Sequence, residues 1–107
     1  MSEKQYVMVR LNPPRPTFAM DMTPAEAATM AAHGEYWRGL LADGKAVAFG
    51  PVLDPAGVWG LGVLEVDDPA EVEKITAADP AVAGGVGRMD TFPMLTATVR
   101  PHGRSQT

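Results

Sequence analysis

An α+β domain of order βαββαβ is predicted by three observations: an alternating apolar run near the N-terminus, two helix starts marked by a cap and a proline, and two strand-like runs joined by a turn between those helices. This order is the ferredoxin-like split arrangement, in which both helices pack on one face of an antiparallel sheet. A chain of 107 residues with 46% hydrophobic content suits one modest core, whereas two domains would each be too small.

Tyr6-Val7-Met8-Val9-Arg10-Leu11 alternates, with Val7, Val9 and Leu11 on one face, and reads as the first strand. Asn12 to Phe18 carries Pro13, Pro14 and Pro16, which can neither continue a central strand nor enter a helix interior, so this is a loop bearing Arg15 and Phe18. Thr23-Pro24-Ala25-Glu26 combines a hydroxyl cap, a proline at the first helical position and a glutamate that closes a capping box. The helix it opens places Ala27, Met30, Gly34, Trp37 and Leu41 on a core-facing stripe and ends at Asp43-Gly44. Gly34 costs about 1 kcal/mol against alanine inside a helix, which hints at close approach by a backbone or a ligand.

Lys45 to Gly50 reads as the second strand, stopped by Gly50-Pro51, and Asp54-Pro55-Ala56-Gly57 turns the chain into a third strand, Val58 to Val66. Asp67-Asp68-Pro69-Ala70-Glu71 opens a short helix to about Ala78 with Val72 and Ile75 inward, and Asp79-Pro80 stops it and starts a further turn. After Gly84-Gly85, the segment from Val86 to Val99 is rich in β-formers and contains Pro93, which suits an edge strand. Residues 1–99 are thus read as one domain and 100–107, with His102, as a flexible polar tail. Tyr6 and Met8 on the first strand, and apolar residues on both faces of the third (Trp59, Leu61 and Val63 against Val58, Leu64 and Val66), make the helix-free sheet face too apolar for water, so a homodimer is expected.

Composition removes several function classes. A net charge of −4 disfavours nucleic acid and anionic lipid as partners. The absence of cysteine excludes a disulfide framework, a thiolate metal site and a cysteine nucleophile, and fits a cytoplasmic protein. No signal-peptide core and no membrane-length apolar stretch is visible. The glycines of Gly60-Leu61-Gly62 and Gly84-Gly85-Val86-Gly87 lack the spacing of a phosphate loop, and the histidines lack metal-ligand spacing, so neither a cofactor nor a metal is expected.

Of the two histidines, His33 lies on the long helix, level with Met30, Tyr36, Trp37 and Leu40, where it could face a pocket mouth. Periodicity alone favours a boundary histidine bonded to a carbonyl, and spacing alone favours Asp79 as a helix N-cap. Phe18, Trp37, Phe49 and Trp59 are candidates for an aromatic pocket; core positions are the commoner fate of such residues, and Phe18, in its loop, is the better pocket candidate.

Arg15-Pro16-Thr17-Phe18, Met30-Ala31-Ala32-His33 with Tyr36-Trp37, Gly44 before Phe49-Gly50-Pro51-Val52, and Asp79-Pro80-Ala81 together resemble the YciI-like (YCII-related) family across nearly the whole chain. The resemblance implies a dimeric α+β barrel and a histidine paired with the aspartate of the Asp-Pro step, which fall here on His33 and Asp79. It also implies a phosphohistidine, again at His33, although nothing in these residues shows phosphate chemistry. In such a dyad the carboxylate holds one imidazole nitrogen and fixes the tautomer, leaving the other nitrogen to move a proton. No serine or cysteine nucleophile accompanies the pair, which favours a lyase or isomerase over acyl transfer. By analogy with related barrels the substrate is a small cyclic or phenolic molecule, with Arg15, Phe18, Trp37, Phe49 and Gly50 as its binding residues. The competing expectation is a non-catalytic dimer that binds a small ligand or a protein partner and uses His33 and Asp79 as a structural pair.

Overall fold

A computed structural model describes residues 4–101. Its elements run β1 (Gln5–Asn12), α1 (Phe18–Asp21), α2 (Pro24–Ala42), β2 (Ala46–Val52), β3 (Trp59–Val66), α3 (Ala70–Ala78), α4 (Pro80–Ala83) and β4 (Arg88–Pro93). The four strands form one antiparallel sheet in the order β2-β3-β1-β4.

The local signals act as their chemistry requires. Thr23 accepts from the Glu26 backbone N–H at 3.1 Å, and the Glu26 side chain accepts from the Thr23 N–H at 2.9 Å, so the capping box at the start of α2 is complete. At the other end Lys45 N–H donates to Leu40 O and Gly44 N–H to Leu41 O, with Gly44 at φ 74°, the left-handed conformation that favours glycine. Asp79 both follows α3 and caps α4, accepting the Ala81 N–H at 2.9 Å.

The alternation of β1 decides where the core lies. Val7, Val9 and Leu11 are buried on one face, joined there by Leu64 and Val66 of β3; Val7, Val9, Leu64 and Val66 form one core cluster with Trp37 and Leu40 of α2 and Val72 of α3. Each fully buried valine or leucine contributes about 1.5–3 kcal/mol of transfer free energy. On the opposite face the register sets Ala48, Val63, Met8 and Phe92 in one row across all four strands. Phe92 in that row is 48% exposed.

Several expectations are corrected. The inward stripe of α2 runs through Met30, His33, Tyr36, Trp37 and Leu40, while Ala27 and Leu41 face outward. The expected stripe followed apolar type, but the sheet below α2 selects a face that includes His33. Strand β2 continues through Pro51 to Val52, which an edge strand tolerates because the proline's missing N–H need not face a neighbour. The β-rich stretch from Val86 to Val99 forms a strand only over Arg88–Pro93; beyond it Leu95 is fully exposed and no regular structure follows through residue 101. The loop after β1 contains the short helix α1, which begins at Phe18. The expected tail lies largely outside the described residues, and His102 with it.

Candidate functional site

A cavity of about 300 Å³ opens between α2, the segment Pro13–Met22 and the helix-bearing face of the sheet. Its floor exists because β3 carries glycines there. A Cβ placed on Gly62 would lie 2.4 Å from Trp37 Cη2 and 2.7 Å from Cζ3, so glycine is what lets the indole lie flat against the strand. Trp37, 2% exposed, stacks on Phe49 at 5.9 Å between ring centroids and 29° between planes.

His33 and Trp37 stand one helical turn apart on the same face of α2, and both reach Asp79. His33 Nδ1 lies 2.9 Å from each carboxylate oxygen, and Trp37 Nε1–H donates to Oδ2 at 2.7 Å. The Ala81 N–H donates to Oδ1 at 2.9 Å. Asp79 is 0% exposed, so this buried carboxylate is held by three converging donor groups, as a buried charge must be. A carboxylate only accepts, so Nδ1 carries the imidazole proton. Nε2 is then the nitrogen with a free lone pair, and it has no hydrogen-bond partner among the described residues. His33 lines the cavity, its side chain 13% exposed. Tyr36 fixes the same helix to α3 by donating its hydroxyl to Ile75 O at 2.7 Å; burial, with the Asp79 charge nearby, pushes its phenol above the ordinary value.

Of the residues expected to bind a substrate, Phe18, Trp37, Phe49 and Gly50 all line the cavity. Arg15 does not. Its guanidinium is engaged by Glu26, to which Nη1 and Nη2 donate at 2.9 and 2.8 Å, and by Asp21, to which Nε donates at 2.8 Å. It also lies over the Phe18 ring. Arg15 therefore ties α1 to the start of α2 and so holds Phe18 in the cavity wall. This bidentate pair, with the Thr23 backbone N–H, lowers the Glu26 carboxyl to about 2. Its hydrogen bonds to Glu26 and then Asp21 raise the Arg15 guanidinium above its already high ordinary value.

Sequence reasoning missed Met30 and Met89 as cavity walls, and missed the indole donor to Asp79. The spacing of His33 and Trp37 held the signal for the latter, because residues four apart on a helix can serve one acceptor. Among the described residues no group of three or more His, Cys, Asp or Glu side chains is arranged to hold a metal ion. No described helix is long and apolar enough to cross a membrane.

The family model described as the YCII-related domain matches residues 6–94. No curated protein was found to match the chain. Among solved structures, the chain is similar to a protein of unknown function from Nitrosomonas europaea, with 18% identity over 91% of this chain and 94% of that one and a TM-score of 0.43.

Proposed function

We propose that this chain, which belongs to the YCII-related domain family, is an enzyme that moves a proton on a small, mainly apolar molecule. His33 is the acid and base of this reading and Asp79 its orienting partner. The observation that carries it is the division of labour on one imidazole: Nδ1 is committed to a buried carboxylate while the ring borders a cavity and Nε2 keeps its lone pair. Nε2 takes a proton from an acidic C–H or O–H of the bound molecule, Asp79 balances the imidazolium, and the proton returns at another atom or to a departing group. That is isomerase or lyase chemistry on a cyclic or phenolic substrate. Phe18, Trp37, Phe49 and Gly50 enclose the molecule, and Arg15 acts from outside the cavity by holding α1.

The test is solvent-deuterium incorporation into a panel of small cyclic ketones and phenols, followed by NMR. The wild type should exchange at least one member, and His33→Ala should slow that exchange by about 10²–10⁴-fold, the usual worth of a positioned acid or base. Equal rates in the two proteins, or no exchange by the wild type, would overturn the reading.

A non-catalytic reading draws on one observation: Asp79 already has structural work, capping α4 and receiving the Trp37 indole. There His33→Ala lowers the melting temperature and leaves binding of a cavity ligand intact.

The strand order β2-β3-β1-β4 supports reading the fold as ferredoxin-like, and the apolar row Val63–Met8–Phe92 supports a homodimer in which two such faces close an α+β barrel. The matched span supports a domain within residues 1–99, and the lack of cysteine supports a cytoplasmic setting.

A further inference from the structure

The polar inventory of the cavity limits what it can hold. No lysine or arginine is among its lining residues. Cations on neighbouring residues are engaged elsewhere: Arg15 on Asp21 and Glu26, Arg38 on Glu35 at the exposed side of α2, and Arg10, on the helix-free side of β1, against the Trp59 ring and the Asn12 side chain. Asn12 borders the cavity, yet its Nδ2 donates to Arg88 O and Asp90 Oδ2, and its Oδ1 accepts from Arg10 Nε. The Trp59 indole N–H is likewise bound to Asp54 Oδ2 at 3.0 Å. Among the described side chains this leaves one nitrogen or oxygen without any hydrogen-bond partner at the cavity wall, His33 Nε2, and in the neutral ring the proton on Nδ1 makes it an acceptor. A carboxylate or phosphate buried here would meet no lysine or arginine and, against the neutral imidazole, no free side-chain donor, at a cost that a largely apolar pocket cannot offset. A ligand with several polar groups would leave most of them unpaired.

We infer that the cavity takes an uncharged, mostly apolar ring carrying a single hydrogen-bond donor, a phenol or enol, with that donor on His33 Nε2 and the ring against Trp37 and Phe49. The volume of about 300 Å³ is at the small end of ligand pockets and suits one or two fused rings. This rests on reading the cavity and His33 as the functional site; it adds the charge and polarity of the molecule bound there.

Three probes of the same bicyclic skeleton test it: 2-naphthol, 2-methoxynaphthalene and 2-naphthoate, titrated into the wild-type protein at about pH 8, above the ordinary imidazole range. Binding is read by calorimetry and by NMR of the Trp37 indole N–H. The naphthol should bind saturably and shift that resonance. The methoxy compound, which cannot donate, should bind about three- to tenfold more weakly, the worth of one ordinary hydrogen bond. The naphthoate should bind weaker than the naphthol by about tenfold or more. His33→Ala should erase the difference between naphthol and its methyl ether. Naphthoate binding as tightly as naphthol, equal affinity for naphthol and ether in the wild type, or no binding of any probe would each overturn the inference. Deuterium exchange distinguishes the two failures. Selective naphthol binding without exchange anywhere in the panel removes the catalysis and keeps the ligand class, whereas His33-dependent exchange with tight naphthoate binding does the reverse.

Discussion

Replacing Asp79 by asparagine keeps shape and volume, and its consequence can be worked out donor by donor. The carboxylate receives His33 Nδ1–H on both oxygens at 2.9 Å, Trp37 Nε1–H on Oδ2 at 2.7 Å and Ala81 N–H on Oδ1 at 2.9 Å. An asparagine oxygen can occupy one of those two positions, and its amino group must take the other. With the oxygen toward Ala81 the amino group meets the indole N–H; with the oxygen toward Trp37 it meets the Ala81 N–H. Either way one buried donor faces another, which costs about 1–3 kcal/mol. For a domain of this size that is a fall in Tm of roughly 5–20 °C. The amino group beside Nδ1 also asks that nitrogen to accept, so the imidazole proton moves to Nε2 and the cavity faces a donor in place of an acceptor. Asp79→Asn should therefore fold, melt lower, and show the Nε2–H tautomer in long-range ¹H–¹⁵N spectra of neutral His33. Proton exchange on any substrate should fall by about a hundredfold or more. A variant that melts within about 1 °C of wild type and keeps the Nδ1–H tautomer would refute both the hydrogen-bond count and the orienting role.

Other perturbations probe the supports of the site. Gly62→Ala pushes a methyl group into the Trp37 ring, 2.4 Å from Cη2, and should cost about 1–3 kcal/mol by thermal unfolding while shifting the Trp37 indole resonance; an unchanged resonance would show that the indole is not seated as described. Glu26 is held at about 2 in the folded protein, first by Arg15 and then by the Thr23 N–H, so its contribution is complete above its ordinary value of 4.5 and is lost as pH falls toward 2. Carboxyl ¹³C titration should place its midpoint near 2, and amide exchange in α1 should quicken over that window in wild type but not in Arg15→Ala; a midpoint near 4.5 would remove the latch. Met8→Glu puts a charge in the middle of the Val63–Met8–Phe92 row and should yield a monomer by sedimentation with the core intact. A wild-type protein that is itself monomeric at tens of micromolar would remove the proposed interface.

Much of the fold was readable because its signals are local. The Thr23–Glu26 capping box, the Asp43-Gly44 stop, the Asp79-Pro80 restart and the period-two alternation of β1 each specify structure within a few residues, and each is met in the fold. The sheet partners are set by the same alternation, since a one-residue slip would turn Val7, Val9 and Leu11 outward. The site is different in kind. His33 and Asp79 are 46 positions apart, and periodicity alone gave each a structural role; resemblance to a family, not spacing, joined them. Their contact needs α2 to turn a face containing an imidazole toward the sheet, and it needs glycine at position 62 so that Trp37 can sink and reach the same carboxylate. Arg15 shows the converse: the resemblance marked it for a ligand, but two acidic neighbours brought within 3 Å by the turn into α2 take its charge. The sequence by itself thus determined the capped start and glycine stop of α2, the restart at Asp79-Pro80 and the buried face of β1, because caps, prolines and alternation act through neighbouring bonds. Which donors converge on Asp79, and which polar atom is left facing the cavity, was decided only when packing brought distant side chains to hydrogen-bond distance.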